Sequence, residues 1–145
     1  MCIRDRLDSI EWFQPDIVSK AYNLMYSWET IDPEQGLQLL DGRCPDPKVR
    51  AFAVQSLFEL DDKTLQCHLL ALTLALEKEY YPDNALSRFL LRRALIKFET
   101  IGVQLFWHLQ TENFNSKLIS KNKRILAAVL VQCICLLYTS PSPRD

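Results

Sequence analysis

The stretch CPDPKVRAFAVQSLFELDD, residues 44–62, carries a complete helix start. Asp46 offers a side-chain acceptor to the free amides of a first turn, and Pro47 sits where its missing N–H costs nothing. A helix is predicted from Pro47 to about Leu60. Along it Lys48, Gln55 and Glu59 form one polar line, while Val49, Ala53, Leu57 and Leu60 gather on the opposite side. The Asp-Pro step recurs at Asp32 and Pro33 ahead of DPEQGLQLL, after another short candidate in DIVSKAYNLMYSW. The chain has three glycines against seven prolines, with long runs of good helix formers between them. That punctuation favours helices joined by proline-started turns over a glycine-punctuated sheet, so the predicted class is all-α. At 145 residues and 48% hydrophobic content the chain suits one domain or a piece of a larger one.

A second start, Asp61 with Asp62 behind it, opens DDKTLQCHLLALTLALEKEY. Leu65, Leu69, Leu72 and Leu76 make one stripe, Leu70 and Leu74 widen it, and Gln66, Thr73 and Glu77 leave a narrow polar line. A helix that apolar is expected to be packed from more than one side. Pro82 and Asp83 then introduce NALSRFLLRRALIKF, with Asp83 as the expected cap. Leu86, Phe89, Leu90, Ala94 and Leu95 point inward, leaving Arg88 with Arg92, and Arg93 with Lys97, as exposed pairs. In TIGVQLFWHLQTE the residues Ile101, Val103, Leu105 and Trp107 alternate as in a strand, but the helical neighbours decide for a helix.

Arg50 falls inside an apolar arc, where a charge is costly unless paired. Asp46 and Asp83 are its candidate partners; the other reading lays its stem on the core and its head in water. The cluster Arg88, Arg92, Arg93 and Lys97 raises the local positive potential and is a candidate partner-binding face, a solvated face being the plainer reading. His68 and His108 lack metal-site spacing, and no phosphate loop, nucleophile elbow or His-Arg-Asp loop occurs in the chain. No catalytic, cofactor-binding or metal-binding residue is therefore expected. Phe106 and Trp107 are read as core aromatics. A net charge of -1 exerts no general pull on nucleic acid or anionic lipid.

MCIRDR has no apolar run behind its charges, which argues against a secretory signal and for a cytoplasmic protein. The five cysteines, Cys2, Cys44, Cys67, Cys133 and Cys135, lack paired spacing and read as reduced, mostly buried thiols. The apolar run Ile125–Tyr138 falls short of the roughly 20 residues of a spanning helix, so a buried helix and no transmembrane segment are expected. The two ends share a further relation. Met1–Asp5 can be encoded ATG TGT ATA AGA GAC, continuing AG into the codon of Arg6, and the reverse complement of that string, in another frame, encodes Cys135–Thr139. Protein termini have no physical reason to be so related, whereas one inverted adapter at both ends of a sequenced fragment produces it. Residues 1–6 and 135–145 are accordingly read as translated adapter, and residues 7–134 as the biological fragment. Cys2, Cys135, Ser140 and Ser142 then carry no function.

Short helix pairs bury a continuous core only by stacking, which predicts an α-solenoid of antiparallel pairs. DPKVRAFAVQSLFEL is similar to the repeat pattern of HEAT proteins, in which an Asp and a later Arg form a ladder between repeats. The combination DPEQGLQLLDGRCPDPKVRAFAVQSLFELDD, DNALSRFLLRRAL and IGVQLFWHLQTE resembles the helical (accessory, or PIK) domain of phosphatidylinositol 3-kinases, with AYNLMYSWETIDPEQ fitting the preceding helix pair. The likeness covers Leu7 to Glu112 well and weakens beyond it. Its details look closest to class I, while LLALTLALEKEYY departs from the usual pattern. The resemblance implies an armadillo-like or HEAT-like scaffold between the Ras-binding and C2 modules and the lipid kinase, with ATP and Mg held by that kinase domain. It also implies contact with the parent's other domains and a regulatory subunit, and recruitment of the parent to membranes. The family's acidic regulatory contact should lie upstream of Leu7, so no residue here inherits it. An independent HEAT-type adaptor and the accessory domain of a phosphatidylinositol 4-kinase are the other readings.

Overall fold

The computed structural model describes residues 7, 9–11, 14–28, 31–41, 44–111 and 121–139. Cys2, Ser140 and Ser142 lie outside the described residues, as does the whole of ENFNSKLIS, residues 112–120. All regular elements among the described residues are helical: α1 Pro15–Ser27, α2 Pro33–Leu39, α3 Pro47–Ser56, α4 Asp62–Ala75, α5 Ala85–Ile96, α6 Val103–Thr111 and α7 Lys121–Thr139. The chain divides into two compact units, which meet in sequence between Leu60 and Asp61.

In the first unit α1, α2 and α3 each begin with a proline, the residue whose fixed φ and missing N–H suit a first turn. Asp46 caps α3 as its sequence predicts, its Oδ1 accepting from the amides of Lys48 at 2.9 Å and Val49 at 3.1 Å. Asp32 heads α2 but its side chain makes no capping bond. α3 tightens into a 3-10 turn at Leu57–Glu59, ending at the expected boundary. Val49, Ala53 and Leu57 are fully buried with Met25, Ile31 and Leu39. Gly36 seats α2 directly on α3, against Ala53 and Ser56.

In the second unit Asp61 caps α4 through the Thr64 amide and hydroxyl. Hydrogen bonding from that hydroxyl holds the Asp61 carboxyl below its ordinary range. Leu65, Leu69, Leu72 and Leu76 are all 0% exposed, each contributing about 1.5–3 kcal/mol by burial. α4 packs on α6, and α7 lies against α5 and α6. Phe98–Gly102 forms a π turn between α5 and α6. Residues 100–111 of TIGVQLFWHLQTE are thus helical, and their strand-like alternation carries no weight against the helices on either side.

Several sequence expectations are corrected. Asn84, not Asp83, caps α5, its Oδ1 accepting from the Ser87 amide at 2.8 Å. Thr73 is fully buried, its hydroxyl donating back to the Leu70 carbonyl at 2.7 Å, while Leu70 and Leu74 are exposed. The apolar arc of α4 is therefore narrower than the composition suggests. Trp107 is 61% exposed, so it is not a core residue. Of the four described cysteines, none of them in a disulfide, only Cys44 is buried. In α7 Leu126, Ala127 and Leu130 enter the core, whereas Val131, Leu136, Leu137 and Tyr138 are exposed, so the run is buried over its first half alone. By length and composition alone, Asn122–Thr139 suffices to cross a membrane. Its start is nonetheless engaged with protein: Asn122 Nδ2 donates to the Glu79 carbonyl at 2.6 Å, and Lys123 Nζ meets Glu77 Oε1 at 2.8 Å.

Candidate functional site

The basic cluster of α5 is divided by the fold. Arg88 makes a two-pronged bond to Asp83, Nε to Oδ1 and Nη2 to Oδ2, both 2.6 Å. The guanidinium, donating to both oxygens, holds the Asp83 carboxyl below the usual carboxylate range. Both side chains are over 70% exposed, so water screens the pair and its net contribution is small. Arg93 turns the other way and meets Asp62 Oδ1 at 2.8 Å, with its side chain only 17% exposed. It is therefore not part of an exposed pair, and it ties α5 to the first turn of α4. Arg92 and Lys97 are exposed. Arg88 and Arg92, one helical turn apart, share one side of α5.

Arg50 is 3% exposed, so its head does not lie in water. Nη1 donates to the carbonyls of Leu40 at 3.1 Å and Cys44 at 3.4 Å, in the connection between α2 and α3. Of the two aspartates considered as its partners, Asp83 binds Arg88 and Asp46 binds the α3 amides. Asp46 Oδ2 also accepts from the Tyr22 hydroxyl at 2.7 Å, fastening α1 to the start of α3. Lys48 Nζ stands 4.3 Å from the centre of the Tyr22 ring.

Burial, and then the bond to Asp46, push the Tyr22 hydroxyl up to about 12 from 10.0. Between those values the folded chain keeps a proton that the unfolded chain has lost. Stability from Tyr22 is thus fully present below pH ~10 and is lost as pH rises through ~12. Tyr22→Phe is expected to cost about 1 kcal/mol at neutral pH by losing one hydrogen bond, and to flatten this alkaline slope. Urea unfolding midpoints of both proteins across that range check it; parallel pH profiles would refute it.

His68 and His108 are partly exposed, and His108 Nε2 stands 3.5 Å from Gln104 Nε2. Among the described residues no three His, Cys, Asp or Glu side chains group as metal ligands. Sequence reasoning missed four buried polar residues: Ser56, Ser87, Asn122 and Lys123. Lys123, 2% exposed, reads in sequence as one more surface lysine, and only its partner Glu77, far back in the chain, reveals the pairing. Ser87 is 7% exposed, and its Oγ has no hydrogen-bond partner. No sequence signal distinguishes it from an ordinary serine of a first turn.

The phosphoinositide 3-kinase family accessory domain (PIK domain) matches residues 3–139. The chain belongs to this family. Phosphatidylinositol 3-kinase 1 of Dictyostelium discoideum is 36% identical over 125 residues, which are 86% of this chain and 8% of that protein. Phosphatidylinositol 3-kinase VPS34 of Arabidopsis thaliana is 38% identical over 117 residues, 76% of this chain and 14% of that protein. The PIK-domain chain thus spans less than a sixth of the length of either relative. Its all-α architecture agrees with the helical-domain resemblance read from DPKVRAFAVQSLFELDD and FLLRRAL.

Proposed function

We propose that the chain is the non-catalytic helical scaffold of a phosphatidylinositol 3-kinase catalytic subunit. One observation carries this reading: the match takes in most of the chain but only 8% to 14% of proteins named as lipid kinases. The internal chemistry supports it, because Arg50, Asp46, Asn122 and Lys123 are spent on holding helices and loops together. Residues 7–134 then form a HEAT/armadillo-like superhelix, with residues 1–6 and 135–145 adapter-derived. ATP, Mg and phosphoryl transfer belong to the parent's kinase module. The scaffold's partners are the parent's other domains and a regulatory subunit, with no nucleic acid and no membrane span. The parent works in the cytoplasm and is recruited to membranes.

The test exchanges residues 7–134 into the matched segment of the Dictyostelium enzyme. The chimera is expected to phosphorylate phosphatidylinositol while the isolated chain does not. In the chimera Arg50→Ala should lower thermal stability and the amount of active enzyme together, leaving the KM for ATP unchanged. Lipid phosphorylation by the isolated chain, or a folded but inactive chimera, would overturn the reading.

A further inference from the structure

A groove of about 310 Å³ opens within the first unit, between the end of α1 and α3. Tyr26, Trp28 and Phe52 make its walls aromatic, Met25 and Ala51 add apolar surface, and Lys48 and Gln55 are its polar side chains. Ligand pockets commonly hold ~300–1,000 Å³, so this groove suits one ring system with a short substituent. Lys48 and Gln55 are both on α3, two turns apart, which separates the charged end of the groove from the amide end by about 10 Å.

Lys48 sets the charge of an occupant. Among the described residues it is the groove's one charged lining residue, it is exposed, and it makes no ion pair. The Tyr22 ring, 4.3 Å from its Nζ, restrains the ammonium and leaves it charged. Asp46, two residues earlier, does not line the groove, and its oxygens accept from the Lys48 and Val49 amides and the Tyr22 hydroxyl. Lys48 also lies in the first turn of α3, where the helix dipole adds to the positive potential. Aromatic walls favour another flat ring in offset or edge-to-face contact, and a cation without a paired carboxylate favours one negative charge beside it.

We infer that this groove binds an aromatic monocarboxylate of small-molecule size. Its ring lies among Tyr26, Trp28 and Phe52, its carboxylate meets Lys48, and the far edge of the ring faces Gln55. A bicyclic ring with a short acid arm matches the separation of the two polar ends. The inference stands on α1 and α3 and does not need the scaffold reading, so the two can fail separately.

The experiment adds indole-3-acetate, its neutral amide and the cation tryptamine to the full chain, three ligands that share a ring and differ in charge. The indole N–H resonance of Trp28, assigned by its loss in Trp28→Phe, should shift saturably with the acetate. The acetate should bind at least about fivefold tighter than tryptamine, with the amide between them, and salt should narrow the difference. Lys48→Gln should remove the preference for the acid while the ring still binds. Tyr26→Ala, at an exposed position, should weaken all three ligands about threefold without moving the unfolding midpoint, and Phe52→Ala should weaken them further. Equal or tighter binding of tryptamine, an unmoved Trp28 signal, or an acid preference that survives Lys48→Gln would overturn the proposal. So would tighter binding of the peptide Gly-Gly-Trp than of the acetate, which would assign the groove to the C-terminus of another polypeptide.

Discussion

Replacing Arg50 with alanine is expected to lower the unfolding free energy by about 3 kcal/mol. The guanidinium donates to the Leu40 and Cys44 carbonyls, and both residues are almost fully buried. Hydrogen bonds to a charged donor contribute about 1.5–3 kcal/mol each when lost singly, and the deleted stem leaves a further packing defect. The effects overlap, because one truncated side chain lets the connection from α2 to α3 relax as a unit. Arg50→Lys should recover part of the loss, since both bonds leave the single nitrogen Nη1 and an ammonium offers enough donors, but it lacks the reach and fixed plane of the guanidinium. Urea unfolding followed by far-UV circular dichroism measures the loss through the midpoint at constant slope. A loss below about 1 kcal/mol would show that the two carbonyls find water or other donors once Arg50 is gone.

Gly36→Ala is expected to destabilise the first unit by about 2 kcal/mol, although alanine is the better helix former. A Cβ at this position would stand 2.0 Å from Ser56 Oγ and 2.9 Å from the Ala53 carbonyl oxygen. The hydroxyl can swing away only by giving up its 2.7 Å bond to the same carbonyl. The carbonyl belongs to the α3 backbone and cannot yield, so α2 must lift from α3. Alanine's helical preference returns about 1 kcal/mol, less than the overpacking cost of up to about 3 kcal/mol. In a Ser56→Ala background the same substitution should cost about half as much, because only the carbonyl contact remains. Thermal unfolding of the four proteins provides the cycle, and an additive result would show that Ser56 is not the obstacle.

Both substitutions act where α2 meets α3, and a scaffold depends on such joints keeping one geometry. In an intact parent their effect should therefore be read as the amount of folded enzyme, as the chimera experiment measures it.

Helix starts were legible in the sequence wherever the deciding contacts lie within one turn. Asp46 with Pro47 and Asp61 with Asp62 begin helices because side-chain oxygen, free amide and fixed φ are all local. The family was legible for a related reason, since DPKVRAFAVQSLFELDD and FLLRRAL preserve order and spacing along the chain. Locality also explains the first failure: Asp83 and Asn84 are adjacent acceptors, and the choice fell to Asn84 while Arg88 engaged Asp83. Periodicity placed Leu70, Leu74, Thr73 and Trp107 on helix faces, yet it carries no information on which face another helix covers. The tertiary structure alone decided that Thr73 is buried and Trp107 exposed, that Arg93 leaves the basic face for Asp62, 31 residues earlier, and that Lys123 is buried beside Glu77. Sequence determines what a backbone can start and which sides of a helix are apolar, because those energies arise within a few residues. Which charges are paired and which hydroxyl is left without a partner depends on contacts between segments far apart in the chain, and only the packed helices set those distances.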